Sequence, residues 1–502
     1  MGRRPIHAHR SSGEYFDPGT TQSNDPRAVE FECNHKPSVT KERKSVKSLK
    51  PIPTISSKTR RAVIRSTAVA TLLLVLASGC APAPKEPSRE AGGTPPPESQ
   101  PEQAKLVFYS NNGNSEESFD QSFGNALRKK FPNYTIEYIR AGTGTSLQDL
   151  LASGTKFDIF FNTIGNFERY MIESGMEYDM RELIKKHNVP LSDLDPVYVD
   201  YMNSAAGGPI YGFPIQNNVM TLFYNKTLFQ KFGVPFPQNG MTWDEAIELG
   251  KKLTRQEAGT SYVGLTVNPA NTANQNQFSL PSVDPSTMTP TINTNPLWKP
   301  LFETLFVRPF EQEIARAETI RQKKTPDHYT FVRDQTLAMY GYSSGLISAL
   351  GEEMKQIDWD IASLPTFREK PGVGAQPYPF QMGITSFSAN KDAAMTALKF
   401  LLSEEYQKEI SEKGQMPVLK LETVKKAFGS KSTFSNKNYS ALFYNKMAPI
   451  AFKTPPYGAA IDKYHTNGAL QLAQGQTDIN SLFRQAEEEA TKEINALRQN
   501  AK

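Results

Sequence analysis

Short apolar runs alternate with amphipathic stretches from residue 105 onward. Residues 105–109 (KLVFY) and 157–161 (FDIFF) read as buried strands. Residues 134–140 (YTIEYIR) place apolar side chains at every second position, the period of a half-buried strand. Between these runs, 116–131 has helical spacing and Thr145 opens a helix toward Ala152. Strand–helix–strand alternation predicts an α/β fold built on a parallel sheet. Farther on, Thr242 precedes Glu245 by three residues, the spacing of a capping box, and Ala246, Ile247, Leu249 and Leu253 follow at helical intervals. The tail repeats the theme. Ile479, Leu482, Phe483, Ala486, Ala490, Ile494 and Leu497 form one stripe, which predicts an amphipathic helix docked on the body. No repeat of 20–50 residues is visible.

The pattern before residue 105 differs. Lys58, Arg60, Arg61 and Arg65 lead into the apolar run 68–77, then Ser78, Gly79 and Cys80. That run falls short of the roughly 20 apolar residues that span a bilayer. Charged flank, short apolar core and small residues describe an export signal over 58–79. With a cysteine at the cut, the segment resembles the bacterial lipoprotein signal. That resemblance implies acylation of Cys80 and attachment to the cell membrane through lipid, on its extracellular face or the periplasmic side where there are two membranes. Residues 80–104 are rich in Pro, Glu and Ser and read as an extended tether, its last 24 residues reaching roughly 70 Å. Residues 1–57 are polar and aperiodic and read as a disordered extension. A signal belongs near a translation start, yet no Met separates Met1 from Met171. The expectation is therefore a start placed too far upstream, the real one being a non-Met codon near Val46 or Leu49.

Charge and cysteine counts change the picture once they are divided at the expected cut. Residues 1–79 carry 14 Lys+Arg against 6 Asp+Glu, whereas the remaining 423 residues carry 43 against 46. The exported part has no positive excess for phosphates, so nucleic acid is not an expected partner. Cys33 lies in the leader and Cys80 at the cut, so disulfides, thiolate catalysis and cysteine metal ligation are excluded from the body. His187, His328 and His465 are far apart, and neither a metal nor a cofactor is expected. A body of this size suggests two domains.

Three segments carry a family resemblance. Residues 211–254 (YGFPIQNNVMTLFYNKTLFQKFGVPFPQNGMTWDEAIELGKKLT) resemble the signature stretch of family 1 extracellular solute-binding proteins of the maltodextrin-binding type. Residues 359–417, from WDIASLP to GQMP, and 458–494 resemble that family's later strands and closing helices, and FDIFFNT fits its third strand. The resemblance implies a two-lobed, type II periplasmic-binding-protein-like fold. An interlobe ligand cleft is crossed by about three segments, near 216–218, near 381–383 and around residue 430. Lobe 1 would then comprise 105–216 and 383–430, and lobe 2 would comprise 217–382 and 431–502. It further implies a monomer that captures a small molecule by hinge closure and delivers it to the permease subunits of an ABC importer. The chain has no phosphate-binding P-loop of its own.

Ligands of open α/β sheets bind beyond the carboxyl ends of strands. The loops there offer Asn111 and Asn112, Thr143 and Thr145, and Asn162 and Thr163. Gln216, Asn217 and Asn218 sit at the first expected crossing, and Gln381 at the second. Uncharged amides and hydroxyls suit a neutral polyhydroxylated ligand such as an oligosaccharide. The same residues are ordinary turn formers, and Thr145 with Gln148 makes an adequate helix cap. The family's usual tryptophan after the strand at 337–340 is replaced by Ser344 or Gly345. Stacking would fall to Tyr340, Tyr342, Tyr457 or Phe380, residues that serve equally well as core.

Two other functions compete. A lipoprotein that presents its ligand to a membrane receptor would need the same cleft without import. GYSSG at 341–345 matches the nucleophile elbow of α/β-hydrolases, with Ser343 as nucleophile and His465, near Asp462, as the only downstream histidine. The elbow requires a strained serine within reach of that histidine. The expected function is binding, not catalysis.

Overall fold

The computed structural model describes residues 103–204, 208–451 and 457–500. The expected leader, Cys80 and tether residues 80–102 lie outside the described residues.

Among the described residues, ten strands form two five-stranded mixed sheets. The first contains β1 (Ala104–Ser110), β2 (Tyr134–Arg140), β3 (Ile159–Thr163) and β4 (Phe213–Gln216). The second contains β5 (Met220–Asn225), β6 (Arg255–Glu257), β7 (Thr260–Val267), β8 (Leu337–Ser343) and β9 (Trp359–Ser363). The chain then returns, and β10 (Phe380–Ile384) completes the first sheet. The orders are β2-β1-β3-β10-β4 and β6-β7-β8-β5-β9. This is the two-lobed α/β architecture expected from the sequence.

Each sheet holds an antiparallel strand that arrives from the other lobe. β1 runs parallel to β2 and β3, and β7 runs parallel to β8. β5 is antiparallel to β8 and β9, and β10 to β3 and β4. Connectivity forces this. A strand that exits at the carboxyl end of one sheet enters the next sheet at the matching end, so it must run away from that end. Residues 381–383, where the sequence placed the return crossing, lie inside β10, all three paired with β3 and Gln381 and Met382 with β4 as well. The return segment is 364–379. A third passage takes the chain from Leu419 in the first core to Phe428 in the second.

Local chemistry accounts for the helices that flank these sheets. Thr242 caps Trp243–Leu253 with the reciprocal Thr242–Glu245 bonds its sequence predicts. The C-terminal helix Ile479–Asn500 buries Leu482, Phe483, Ala486, Ala490 and Ile494 along one stripe. The helix expected from Thr145 starts later, as Leu147–Ser153. Thr145 Oγ1 donates to Arg140 O at 2.8 Å and is spent on the loop. Ser146 and Asp149 form the capping box instead.

Candidate functional site

The carboxyl ends of the first sheet carry a directed chain of side-chain hydrogen bonds. Tyr378 hydroxyl donates to Thr163 Oγ1 at 3.3 Å, and Thr163 Oγ1 donates to Asn162 Oδ1 at 3.3 Å. Asn162 Oδ1 also accepts the Thr163 N–H at 2.7 Å, and Asn162 Nδ2 donates to Asn111 Oδ1. Asn162 and Thr163 are buried, whereas Asn111 at the end of the chain is half-buried. The strands explain the order. β3 delivers Asn162 and Thr163 at its last two positions, beside the first residue after β1. Gln381 is paired across the sheet with Asn162 and shares its face. Gln216 pairs with Phe380 at the edge of the same array, and both are half-buried.

Tyr378 joins this array to the hinge. Its N–H lies 2.9 Å from Asn217 Oδ1 and 3.0 Å from Asn218 O. Burial holds its phenol above the ordinary tyrosine range, so the hydroxyl stays a neutral donor. Sequence reasoning passed over Tyr378. The visible signal was an aromatic between two prolines in QPYPFQ, a rigid extended strap. Asn217 is buried, with Oδ1 on Tyr378, Nδ2 pointing to Met447 Sδ at 3.8 Å and its N–H on Met416 O. Its amide therefore ties the three passages together. A cavity of about 730 Å³ lies beside it, lined by 195–197, Asp200 and Tyr201, by 416–419 and Lys425, and by 442–447, Pro449 and Ile450. Asn217 is the one residue of the predicted set on that wall.

The remaining predicted residues lie apart from the chain. Asn112 is half-buried and its N–H reaches Ser110 Oγ at 3.4 Å. Thr143 is exposed in the loop before Gly144. Tyr109, below this loop, bonds Thr145 O at 3.2 Å, and burial followed by the Asp149 charge pushes its phenol up to about 12. On the second sheet, Tyr342 stacks on Tyr340 at 5.0 Å and on His328 at 5.7 Å, near the carboxyl end of β8. Tyr457 packs beside Ile461, Ala490 and Ile494, with the Arg498 guanidinium 5.8 Å from its ring.

The elbow geometry is not realised at Ser343. This serine lies within β8 paired with Met220, and it is not among the residues with left-handed backbone. Its Oγ accepts the Gly345 N–H at 3.2 Å. His465 is buried 4.6 Å from the Trp298 ring and 6.1 Å from Phe302, as a packing residue. A strained turn and an accessible base are both missing from this pair. Among the described residues, no group of three or more His, Cys, Asp or Glu is placed to hold a metal ion, and no helix is long and apolar enough to cross a membrane.

Known structures share this architecture. An ABC substrate-binding protein of Listeria monocytogenes in complex with cycloalternan superposes with a TM-score of 0.61 at 18% identity, covering 78% of this chain and 100% of that one. A sugar transporter protein of Rhizobium etli in an open conformation gives 0.61 at 18%, covering 77% and 99%. UgpB of Mycobacterium tuberculosis in complex with glycerophosphocholine gives 0.58 at 18%, covering 78% and 99%. At this identity the likeness is one of fold. Sequence supplies the family. The profile of bacterial extracellular solute-binding proteins matches residues 112–408, more than half of the chain, from the loop after β1 to the helices after β10. The chain therefore belongs to the bacterial extracellular solute-binding proteins.

Proposed function

We propose that this protein is the ligand-capturing component of a carbohydrate ABC importer, held at the membrane by acylated Cys80. One observation carries the reading. Neutral hydroxyl and amide groups, running from Tyr378 through Thr163 and Asn162 to Asn111, are set in fixed order where the strands of lobe 1 end beside the hinge. Neutral donors and acceptors in a fixed array suit the hydroxyls of a sugar. The ligands of structural neighbours agree in part. The Listeria protein holds cycloalternan and the Rhizobium protein is a sugar transporter, while the Mycobacterium protein holds glycerophosphocholine.

In this reading Asn111, Asn162, Thr163, Gln216 and Gln381 meet hydroxyls, with Asn112 and Thr143 on the rim. Tyr342 and Tyr457 supply aromatic surface from lobe 2. Asn217 acts through the hinge. Ligand contacts made from both lobes favour the closed form only so far as they are stronger there than in the open form. A permease then reads the closed shape, and no bond is made or broken.

The test is thermal-shift screening of the leaderless protein against neutral oligosaccharides, peptides and zwitterionic metabolites. A rise in Tm with oligosaccharides alone is expected. A flat response to every glycan, with a rise for a zwitterion, overturns the substrate class. Permease genes beside this one would favour import over presentation to a receptor.

A further inference from the structure

The cavity of about 730 Å³ beside Asn217 has a wall from each lobe. One wall is the start of the helix Pro196–Ser204, fastened to lobe 1 by Tyr198 and Met202 in the core of the first sheet. The facing wall is the segment 442–446. Leu442 shares a core with Phe223 and Trp359 of the second sheet. The Lys446 N–H bonds Gly372 O at 3.0 Å, and Lys446 O accepts the Gly374 N–H at 2.8 Å. Gln277 Nε2, from lobe 2, holds Val373 O of the same strap at 2.7 Å.

This cavity and the amide chain lie beyond opposite edges of the first passage. The Asn217 N–H bonds Met416 O at 2.9 Å, and Met416 lines the cavity. Asn218 O instead accepts the Tyr378 N–H at 3.0 Å, and Tyr378 leads to Thr163. Successive residues of a strand-like run turn their backbone groups to opposite edges. A rotation of the lobes about the passages therefore narrows one space as it widens the other.

The facing walls differ in charge. Lobe 1 supplies Asp195 and Asp200, lobe 2 supplies Lys446, and the third passage supplies Lys425. Asp195 Oδ1 accepts the Val197 N–H at 3.2 Å, and Lys425 lies 3.7 Å from Glu422. Asp200 and Lys446 are exposed, and neither has an ion-pair partner among the described residues.

We propose that Asp200 and Lys446 pair across this cavity when the cleft opens, and that the pair holds the ligand-free protein open. Closure on a ligand parts the two charges. This rests on the hinge closure of the reading above and not on the cargo. An ion pair between exposed side chains shifts an equilibrium by roughly fivefold at most, so a ligand can still close the hinge against it.

Small-angle X-ray scattering on the leaderless, ligand-free protein reads the opening. Asp200→Lys and Lys446→Asp each set like charges across the cavity, and each should lower the radius of gyration at low salt. The double variant Asp200→Lys with Lys446→Asp restores the pair with reversed polarity and should return the wild-type radius. High salt should bring all four proteins together. Single variants that scatter as wild type does, or a double variant that shows no return, overturn the latch. Calorimetry with neutral gluco- and manno-oligosaccharides reads the same equilibrium. Asp200→Asn should bind its glycan roughly two- to fivefold more tightly, a gain that high salt removes. An unchanged affinity at low salt overturns the latch. A wild-type radius unmoved by a glycan that binds overturns hinge closure and the latch with it. Silence from every glycan overturns the carbohydrate reading alone, and the scattering series then decides the latch. Matched melting curves show that each variant is folded.

Discussion

The two sheets are laid out alike and finished differently. In both, strands that run toward the hinge flank a strand that arrives from the other lobe and runs away from it, β10 in lobe 1 and β5 in lobe 2, and lobe 2 adds the short reversed edge strand β6. At the carboxyl ends of lobe 1 the sequence supplies Asn111, Asn162 and Thr163, linked side chain to side chain. Near the matching end of lobe 2 it supplies the ring stack Tyr340, Tyr342 and His328. Amides read polarity and direction, while rings read flat apolar surface. A single backbone plan thus carries two kinds of group, a polar chain in lobe 1 and a buried ring stack in lobe 2, and the sugar reading asks for both, because a pyranose has hydroxyl edges and C–H faces.

The severest way to break this comparison is at the shared backbone. A Cβ on Gly383 of β10 would lie 2.1 Å from Tyr211 O, and one on Gly264 of β7 would lie 1.8 Å from Gly250 O. Gly383→Ala and Gly264→Ala should each cost about 3 kcal/mol or more, because backbone faces backbone and neither can yield. Urea unfolding checks this. A loss confined to one of two separate transitions would show that the lobes melt independently.

The polar finish comes next in size. Asn162→Ala leaves Asn111, Thr163 and their neighbours with unmet bonds, and should cost about 1–3 kcal/mol of stability and abolish ligand-induced stabilisation. On the aromatic side, Tyr342→Leu should cost about 1 kcal/mol through lost ring contacts. Equal loss of ligand response from Asn162→Ala and Tyr342→Leu would sharpen the division of labour. An unchanged response in Tyr342→Leu would confine recognition to lobe 1. Tyr378→Phe removes one bond between strap and sheet, and a loss of about 1 kcal/mol is expected from the same unfolding curves.

The smallest expected effect separates the lobes by acid. Asp284, in a lobe 2 turn, is lowered to about 2 by the Ser286 hydroxyl and the N–H groups of Thr287 and Ser286. In lobe 1, Arg181 lowers Asp179. A folded-state value below the unfolded one means stabilisation that is complete above the unfolded value of about 4 and is lost as pH falls through the folded value. Stability should therefore decline from about pH 4 toward pH 2. Asp284→Asn should flatten part of that decline, as read by unfolding curves at stepped pH.

Local signals on this chain were legible before any coordinates. β2 alternates as a half-buried strand, Thr242 and Glu245 announce their cap, and the stripe of the last helix is the face that is buried. The cap at Thr145 was misjudged by one residue because the Arg140 carbonyl, a loop partner, takes its hydroxyl. The candidate site divides the same way. Asn111 follows β1, Asn162 and Thr163 close β3, and all three could be named from position alone. Tyr378 could not, because its partners Asn217 and Thr163 are 161 and 215 residues distant. For Asn217 the position at the first crossing was legible, but nothing local revealed the backbone and sulfur its amide also meets.

The position of β10 governs how the chain can fold. It sits between β3 and β4, so β4 has no neighbour in its sheet until residues 380–384 arrive. The strands of the second sheet, 220–363, are contiguous and nested inside that gap. Every attempt to complete the outer sheet must therefore close a loop of more than 150 residues, the kind of long-range contact that slows folding. A polypeptide ending before Phe380 carries β1 to β4 and still lacks the strand that makes them one sheet.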